Sequence, residues 1–154
     1  MSSTYTLPTS NLNPKELPHN IEAEQGLLGA ILLNNEIFYD VSEVINIDHF
    51  YEAVHKTIFE VIHKLISKGQ IATPITLKSY FEVEKTLEEI GGSSYLARLA
   101  NSAVSLDYAK SYAQIIYDLA VRRGLFELGG KVQHNAIESE MDVKPVSYTH
   151  LTLP

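Results

Sequence analysis

Cysteine is absent from the 154 residues, which excludes disulfide scaffolds and cysteine-bound zinc. Long hydrophobic runs are missing as well. The longest unbroken apolar stretch, Ala30–Leu33, is four residues, against the roughly 20 that a bilayer-spanning helix needs. The first twenty residues have neither the basic start nor the apolar centre of a signal peptide, so a cytoplasmic chain with no membrane partner is expected. Basic residues are scarce at the amino-terminal end. Residues 1–50 set Lys15 alone against Glu16, Glu22, Glu24, Glu36, Asp40, Glu43 and Asp48, and so carry six of the seven net negative charges. An acidic third disfavours a protein that works mainly by gripping phosphate backbones, because each such contact needs a cation. It suits a protein that meets other proteins.

What the sequence does contain is helical periodicity, in a chain long enough to bury a core. Residues 1–17 are polar, broken by Pro8 and Pro14, and read as a flexible leader. Asn20 is a candidate N-cap, with Glu22 and Glu24 placed to favour the positive end of a helix dipole. Leu27, Leu28, Ile31 and Leu32 follow at helical spacing. Asn34–Asn35 is expected to end this helix in the left-handed conformation and to open a second one with the stripe Ile37, Val41, Val44 and Ile45. A third helix is expected from Tyr51 to Lys68, burying Val54, Ile58, Val61, Ile62 and Leu65 and stopped by Gly69. Gln70 to Ile75 reads as a connector, Thr76 as the cap of a fourth helix through Phe81, and Gly91–Gly92 as a turn into a fifth carrying Tyr95, Leu96 and Leu99.

The longest pattern runs from Tyr108 through Ile115, Ile116, Leu119, Leu125, Leu128 and Val132 to Ile137. Gly124, Gly129 and Gly130 weaken it without ending it, since a helix-interior glycine costs about 1 kcal/mol against alanine. No alternating strand pattern is present, and the fold class is read as all-α: a small helical bundle followed by one long helix. A helix of about 30 residues is roughly 45 Å long, more than a domain of this size covers. Its far end is therefore expected to need a partner.

No catalytic, cofactor-binding or metal-ligating residue emerges. Gly124 to Lys131 (GLFELGGK) approaches a phosphate-binding loop, but Gly130 stands where the lysine belongs and no strand precedes it. Of the histidines (His19, His49, His55, His63, His134, His150), His55 and His63 lie eight apart in the third helix, with Glu52 and Glu60 as the nearest acids. They read as surface or half-buried helix residues rather than metal ligands. Glu82, Glu84, Glu88 and Glu89 interleave with Lys78 and Lys85 as a solvated face. Arg122 follows Asp118 by four residues, the spacing of an intrahelical ion pair.

Several segments taken together are more specific than any of these. Pro18 to Leu33 (PHNIEAEQGLLGAILL), Asp48-His49-Phe50-Tyr51 with His55-Lys56 and Ile58-Phe59, Gly91-Gly92 with Tyr95-Leu96-Ala97 and Leu99, and Tyr112-Ala113 with Ile115-Ile116 through Arg122 occur in one order. In that order and spacing, from about Leu17 to Asp142, the chain resembles the amino-terminal domain of DnaB-type replicative DNA helicases. The resemblance implies residues 18–104 as a globular helical head and residues 105–142 as the first arm of a dimerisation hairpin. It implies a parent enzyme that forms a hexameric ring and unwinds duplex DNA 5′ to 3′ with ATP hydrolysis. ATP and Mg²⁺ would sit in a RecA-like motor that has no counterpart in residues 1–154, so the fragment alone is expected to be inactive. The implied partners are further copies of itself, primase and, in some lineages, a helicase loader, with single-stranded DNA held mainly by the motor.

For the partner surface the long helix is favoured around Ile115, Leu119, Arg122, Leu125 and Leu128, and the isolated chain is expected to self-associate or to fray beyond about Gly124. The segment 143–154, ending VSYTHLTLP, departs from the family pattern. It is expected to be foreign, from a frameshift, a vector-derived read-through or an assembly error in a truncated gene, which resequencing codons 140 to 150 checks. Two other classes compete with this reading. A stand-alone DNA-binding regulator or an interaction adaptor would use a helix-turn-helix near Gly69 to Phe81, but Thr76 to Lys85 offers only Lys78 and Lys85 against Glu82 and Glu84. An independent enzyme would need converging titratable groups.

Overall fold

The computed structural model describes residues 17–138; the expected leader up to residue 16, the end of the long-helix segment and the whole expected foreign tail lie outside the described residues. The described residues form helices α1 (Ile21–Leu33), α2 (Glu36–Val41), α3 (Ala53–Ser67), α4 (Pro74–Val83), α5 (Gly92–Asn101) and α6 (Leu106–Glu138), with 3₁₀ turns at Ile47–His49 and Glu88–Ile90. No strand occurs among them, so the fold is all-α. They divide into two units between Ala120 and Val121.

In the first unit α1 is the central element. Asn20 caps it as the sequence suggests, its Oδ1 accepting from Ala23 N–H at 2.9 Å. From Ala23 to Leu32 every residue but Gln25 is buried, because α1 is covered on nearly all sides rather than along one stripe. Gly26 and Gly29 let the backbone of α5 and its exit approach. A Cβ added at Gly29 would sit 1.9 Å from the Leu99 carbonyl oxygen, and one at Gly26 would sit 2.7 Å from Val104 Cγ1. Val104 N–H donates to Gly26 O at 3.1 Å, joining the end of the bundle to its centre. Around α1 the core is filled by Phe50, Ile58 and Ile62, by Leu77 and Phe81, by Leu96 and Leu99, and by Ala113 and Ile116 of α6.

Several boundaries differ from the sequence expectation. Asn34 is extended and Asn35 helical, so neither takes the left-handed conformation. The asparagine side chain has another use: Asn35 Nδ2 donates to Ile31 O at 2.8 Å and Ala72 O at 2.7 Å, while its Oδ1 accepts from Ala72 N–H at 2.8 Å. The corner between α1 and α2 is thereby fastened to the segment entering α4. That helix starts earlier than expected. Thr73 is the cap, Pro74 fills the first turn where no N–H is required, and Thr76 is the reciprocal partner of a capping box. Thr73→Ala is expected to cost about 1 kcal/mol, read as a lower urea midpoint with an unchanged slope. Gly69 does end α3, at φ +73°, and Gly91 and Gly92 form the turn into α5 at φ +97° and +76°.

α6 is 33 residues long. Its part in the first unit buries Ala109, Ala113 and Ile116, spaced by four and then three residues. In the second unit, the helix from Val121 to Glu138 holds half-buried Arg123 and Phe126, and its other described positions are exposed. Gly124, Gly129 and Gly130 lie inside this helix without ending it, and a Cβ at any of them would meet nothing within 4 Å.

Candidate functional site

The residues favoured as a partner surface divide between the two units. In the first, Ile115 is 40% exposed and Leu119 half-buried. Ile115 lines a shallow cleft of about 360 Å³ with Asn20, Glu22, Gln25, Val104 and Tyr112. Tyr117 projects towards the Ile47–His49 turn, where the His49 ring meets it edge-on at 5.1 Å. The hydrogen bond given to Asp118 comes from Gln114 Nε2 at 2.9 Å, one turn earlier in the helix. In the second unit, Arg122 is exposed, Leu125 is 63% exposed and Leu128 57%. Val121, Leu125, Leu128 and Val132 follow one another at intervals of four, three and four, which places them on one side of the helix in the rhythm of a coiled-coil seam.

A second constellation, missed in the sequence, lies inside the bundle. Glu24 is 1% exposed and His55 is fully buried. His55 is therefore not the surface or half-buried helix residue expected, and its acidic neighbour is neither Glu52 nor Glu60. His55 Nδ1–H donates to Glu24 Oε1 at 2.7 Å, since a carboxylate can only accept. The same carboxylate accepts from Tyr51 N–H at 2.8 Å and Glu52 N–H at 3.3 Å, the backbone groups at the start of α3. On the other side of the imidazole, Tyr95 O–H reaches Nε2 at 2.6 Å, and Gln25 Nε2 donates to the Tyr95 oxygen at 3.2 Å. One chain of hydrogen bonds thus ties α1, α3 and α5 together. No buried side-chain polar atom among the described residues lacks a partner.

The signal for this network was present as phase. Glu24 stands three and four residues before Leu27 and Leu28, and His55 stands three and four before Ile58 and Phe59. Both are polar residues set in the apolar stripe of their own helix, where burial requires a hydrogen-bonding partner. The chemistry available to them is structural. Both imidazole nitrogens are engaged, and the carboxylate takes three N–H donors. Among the described residues no group of three His, Asp or Glu could hold a metal ion, and no helix is long and apolar enough to cross a membrane.

Residues 16–118 match the family model of the DnaB-like helicase N-terminal domain, two thirds of the chain. The chain belongs to this family. Related proteins include the replicative DNA helicase DnaB of Rickettsia felis, 43% identical over 131 residues, covering 85% of this chain and 26% of that protein. The DnaB helicases of Treponema pallidum, 34% identical over 121 residues, and Geobacillus stearothermophilus, 32% identical over 128, cover 79% and 82% of this chain. In each of these two cases the match spans 28% of the relative. The chain thus spans about a quarter of the length of the helicases it matches. Among solved structures, the crystal structure of the N-terminal domain of DnaB helicase from Mycobacterium tuberculosis superimposes with a TM-score of 0.79 at 27% identity, covering 90% of this chain and all of that one.

Membership of the DnaB N-terminal domain family displaces the DNA-binding regulator as a reading. The candidate recognition helix α4 also has its Lys78 paired with Glu82 at 3.8 Å, which lowers the positive potential available for phosphate. In this DnaB domain α6 carries exposed apolar positions in each unit, Ile115 in the first and Val121, Leu125, Leu128 and Val132 in the second.

Proposed function

We propose that the chain is the collar domain of a ring-shaped replicative helicase that works in the cytoplasm, with residues 18–104 as its head and residues 105–142 as the first arm of a dimerisation hairpin. The full-length enzyme unwinds duplex DNA 5′ to 3′ at the replication fork. Its ATP and Mg²⁺ belong to a motor domain, which also holds the single-stranded DNA. The collar's own work is assembly into dimers and then a hexamer, and docking of primase and of a helicase loader where one exists. Ile115 and Leu119 in the first unit, and Arg122, Leu125 and Leu128 in the second, are assigned to protein contacts.

The observation that supports this reading is the run of apolar side chains in α6, with Leu125 and Leu128 both more than half exposed. Single exposed apolar residues are ordinary on a protein surface, but four at seam spacing make a surface that water solvates poorly and a second helix covers well. The wild-type chain is expected to scatter light as a dimer or larger species, and Leu125→Glu/Leu128→Glu to scatter as a monomer with an unchanged head. A wild-type chain that stays monomeric across a concentration series, with amide protection extending through Ile137, overturns the proposal.

A further inference from the structure

A cleft of about 500 Å³ opens in the first unit between the α2 corner and α3. Its floor is aromatic and aliphatic. Phe38 packs against Phe59 with ring centroids 5.6 Å apart and stacks on His63 at 5.6 Å, and Ile45 and Ile47 complete the apolar lining. The mouth is polar, formed by Ser42, Asn46 and Asp48, all exposed. Ser42 and Asn46 hold the shape of that mouth: Ser42 Oγ donates to Phe38 O, and Asn46 Oδ1 accepts from Asp48 N–H at 2.9 Å while its own N–H donates to His49 Nδ1 at 2.9 Å.

Asp48 lines the cleft, and the stretch of chain that supplies its α2-side wall is acidic. Residues 17–52 contain no lysine or arginine. Glu36, Asp40, Glu43 and Asp48 are all exposed, and Asp40 and Glu43 flank the lining residues Phe38 and Ser42 in sequence. On α3, the nearby Lys64 is paired with Glu60 at 3.8 Å. An apolar trough walled on one side by an acidic stretch of chain that has no lysine or arginine selects a ligand that brings a large apolar side chain for the floor and cations for that wall. A helix with leucines on one face and arginines beside them has that composition; an acidic segment or a nucleic-acid backbone is repelled.

We infer that the cleft bounded by Phe38, Ser42, Ile47, Asp48, Phe59 and His63 docks a basic amphipathic segment of a partner protein. This deepens the collar reading by naming the chemistry of one docking partner, and it is separable from it: α6 assembly is read from oligomer size, whereas this site is read from peptide binding to the head.

The probe is a fluorescein-labelled amphipathic helical peptide with leucines on one face and arginines flanking them, titrated with the full chain and followed by anisotropy. Saturable binding that weakens with added salt is expected, with none for the counterpart carrying glutamates in place of the arginines. Asp40→Lys/Glu43→Lys/Asp48→Lys is expected to weaken binding about tenfold or more, since each charge on the acidic wall contributes modestly and three are reversed. Ser42→Trp, which fills the mouth from an exposed position, is expected to abolish it, with thermal melts of both variants checking that the head remains folded. Equal binding of the glutamate peptide, or unchanged affinity of the charge-reversed chain, overturns the inference.

Discussion

Glu24→Ala is expected to destabilise the head by about 3–5 kcal/mol, the range found when one partner of a buried, hydrogen-bonded ionisable pair is removed. The size follows from what is left behind. Three N–H groups, of Tyr51, Glu52 and the His55 ring, point at the carboxylate, and the site is closed to water at 1% exposure of Glu24. Each orphaned buried donor costs on the order of 1–3 kcal/mol in desolvation without return. Against the 5–15 kcal/mol total stability usual for a domain, the loss removes a large fraction of the folded margin. Glu24→Gln separates shape from charge: its amide oxygen can still accept from the α3 backbone, so a smaller loss is expected. Urea denaturation of the three proteins gives the ranking. A Glu24→Ala midpoint within experimental error of wild type would show that the network contributes no net stability.

Gly29→Ala is expected to cost about 3 kcal/mol or more, although alanine is the better helix former by about 1 kcal/mol. The added methyl would stand 1.9 Å from a main-chain oxygen of α5, which cannot rotate away as a side-chain tip could. Relief requires α1 and α5 to separate, and their contact is the centre of the bundle, with Leu27, Leu28, Leu96 and Leu99 all at 1% exposure or less. Gly124→Ala is the internal control. Its Cβ meets nothing within 4 Å, so the same change is expected to add about 0.5–1 kcal/mol of helix propensity and a small gain in far-ultraviolet ellipticity. Opposite signs for one substitution at two helical glycines distinguish a packing requirement from a conformational one. If both variants stabilise, the close approach of α1 to α5 is wrong.

The elements that could be read from the sequence are those set by local chemistry. The Asn20 cap, the apolar stripes of α1, α3 and α5, the Gly69 stop and the persistence of α6 through its glycines each depend on residues within a turn or two of one another. Distant residues decide two of the departures from expectation, and a local cue decides a third. Asn35 avoids the left-handed conformation because Ala72, 37 residues away, offers its side chain two hydrogen bonds. Thr73 rather than Thr76 caps α4 because Pro74 fits the first helical position, a cue carried by the adjacent residue. The partner of His55 was legible only as a phase relation, since nothing near His55 in the chain identifies Glu24, 31 residues earlier. The expected surface on α6 was legible as a stripe, but periodicity alone is silent on whether an apolar stripe faces its own bundle or another chain.

The placement of Glu24 also bears on the order in which the bundle is built. Glu52 stands at the start of α3 without capping it through its own side chain, and the two backbone N–H groups that lead into that helix, of Tyr51 and Glu52, are held by a carboxylate carried by α1. Fixing the direction in which the chain enters α3 therefore depends on a group that arrives only after the chain between α1 and α3 has closed into a loop. The two helices thus reinforce one another through the Glu24 carboxylate. That coupling turns a local event into a long-range one, raising the kinetic barrier to the head while making its unfolding more nearly all-or-none.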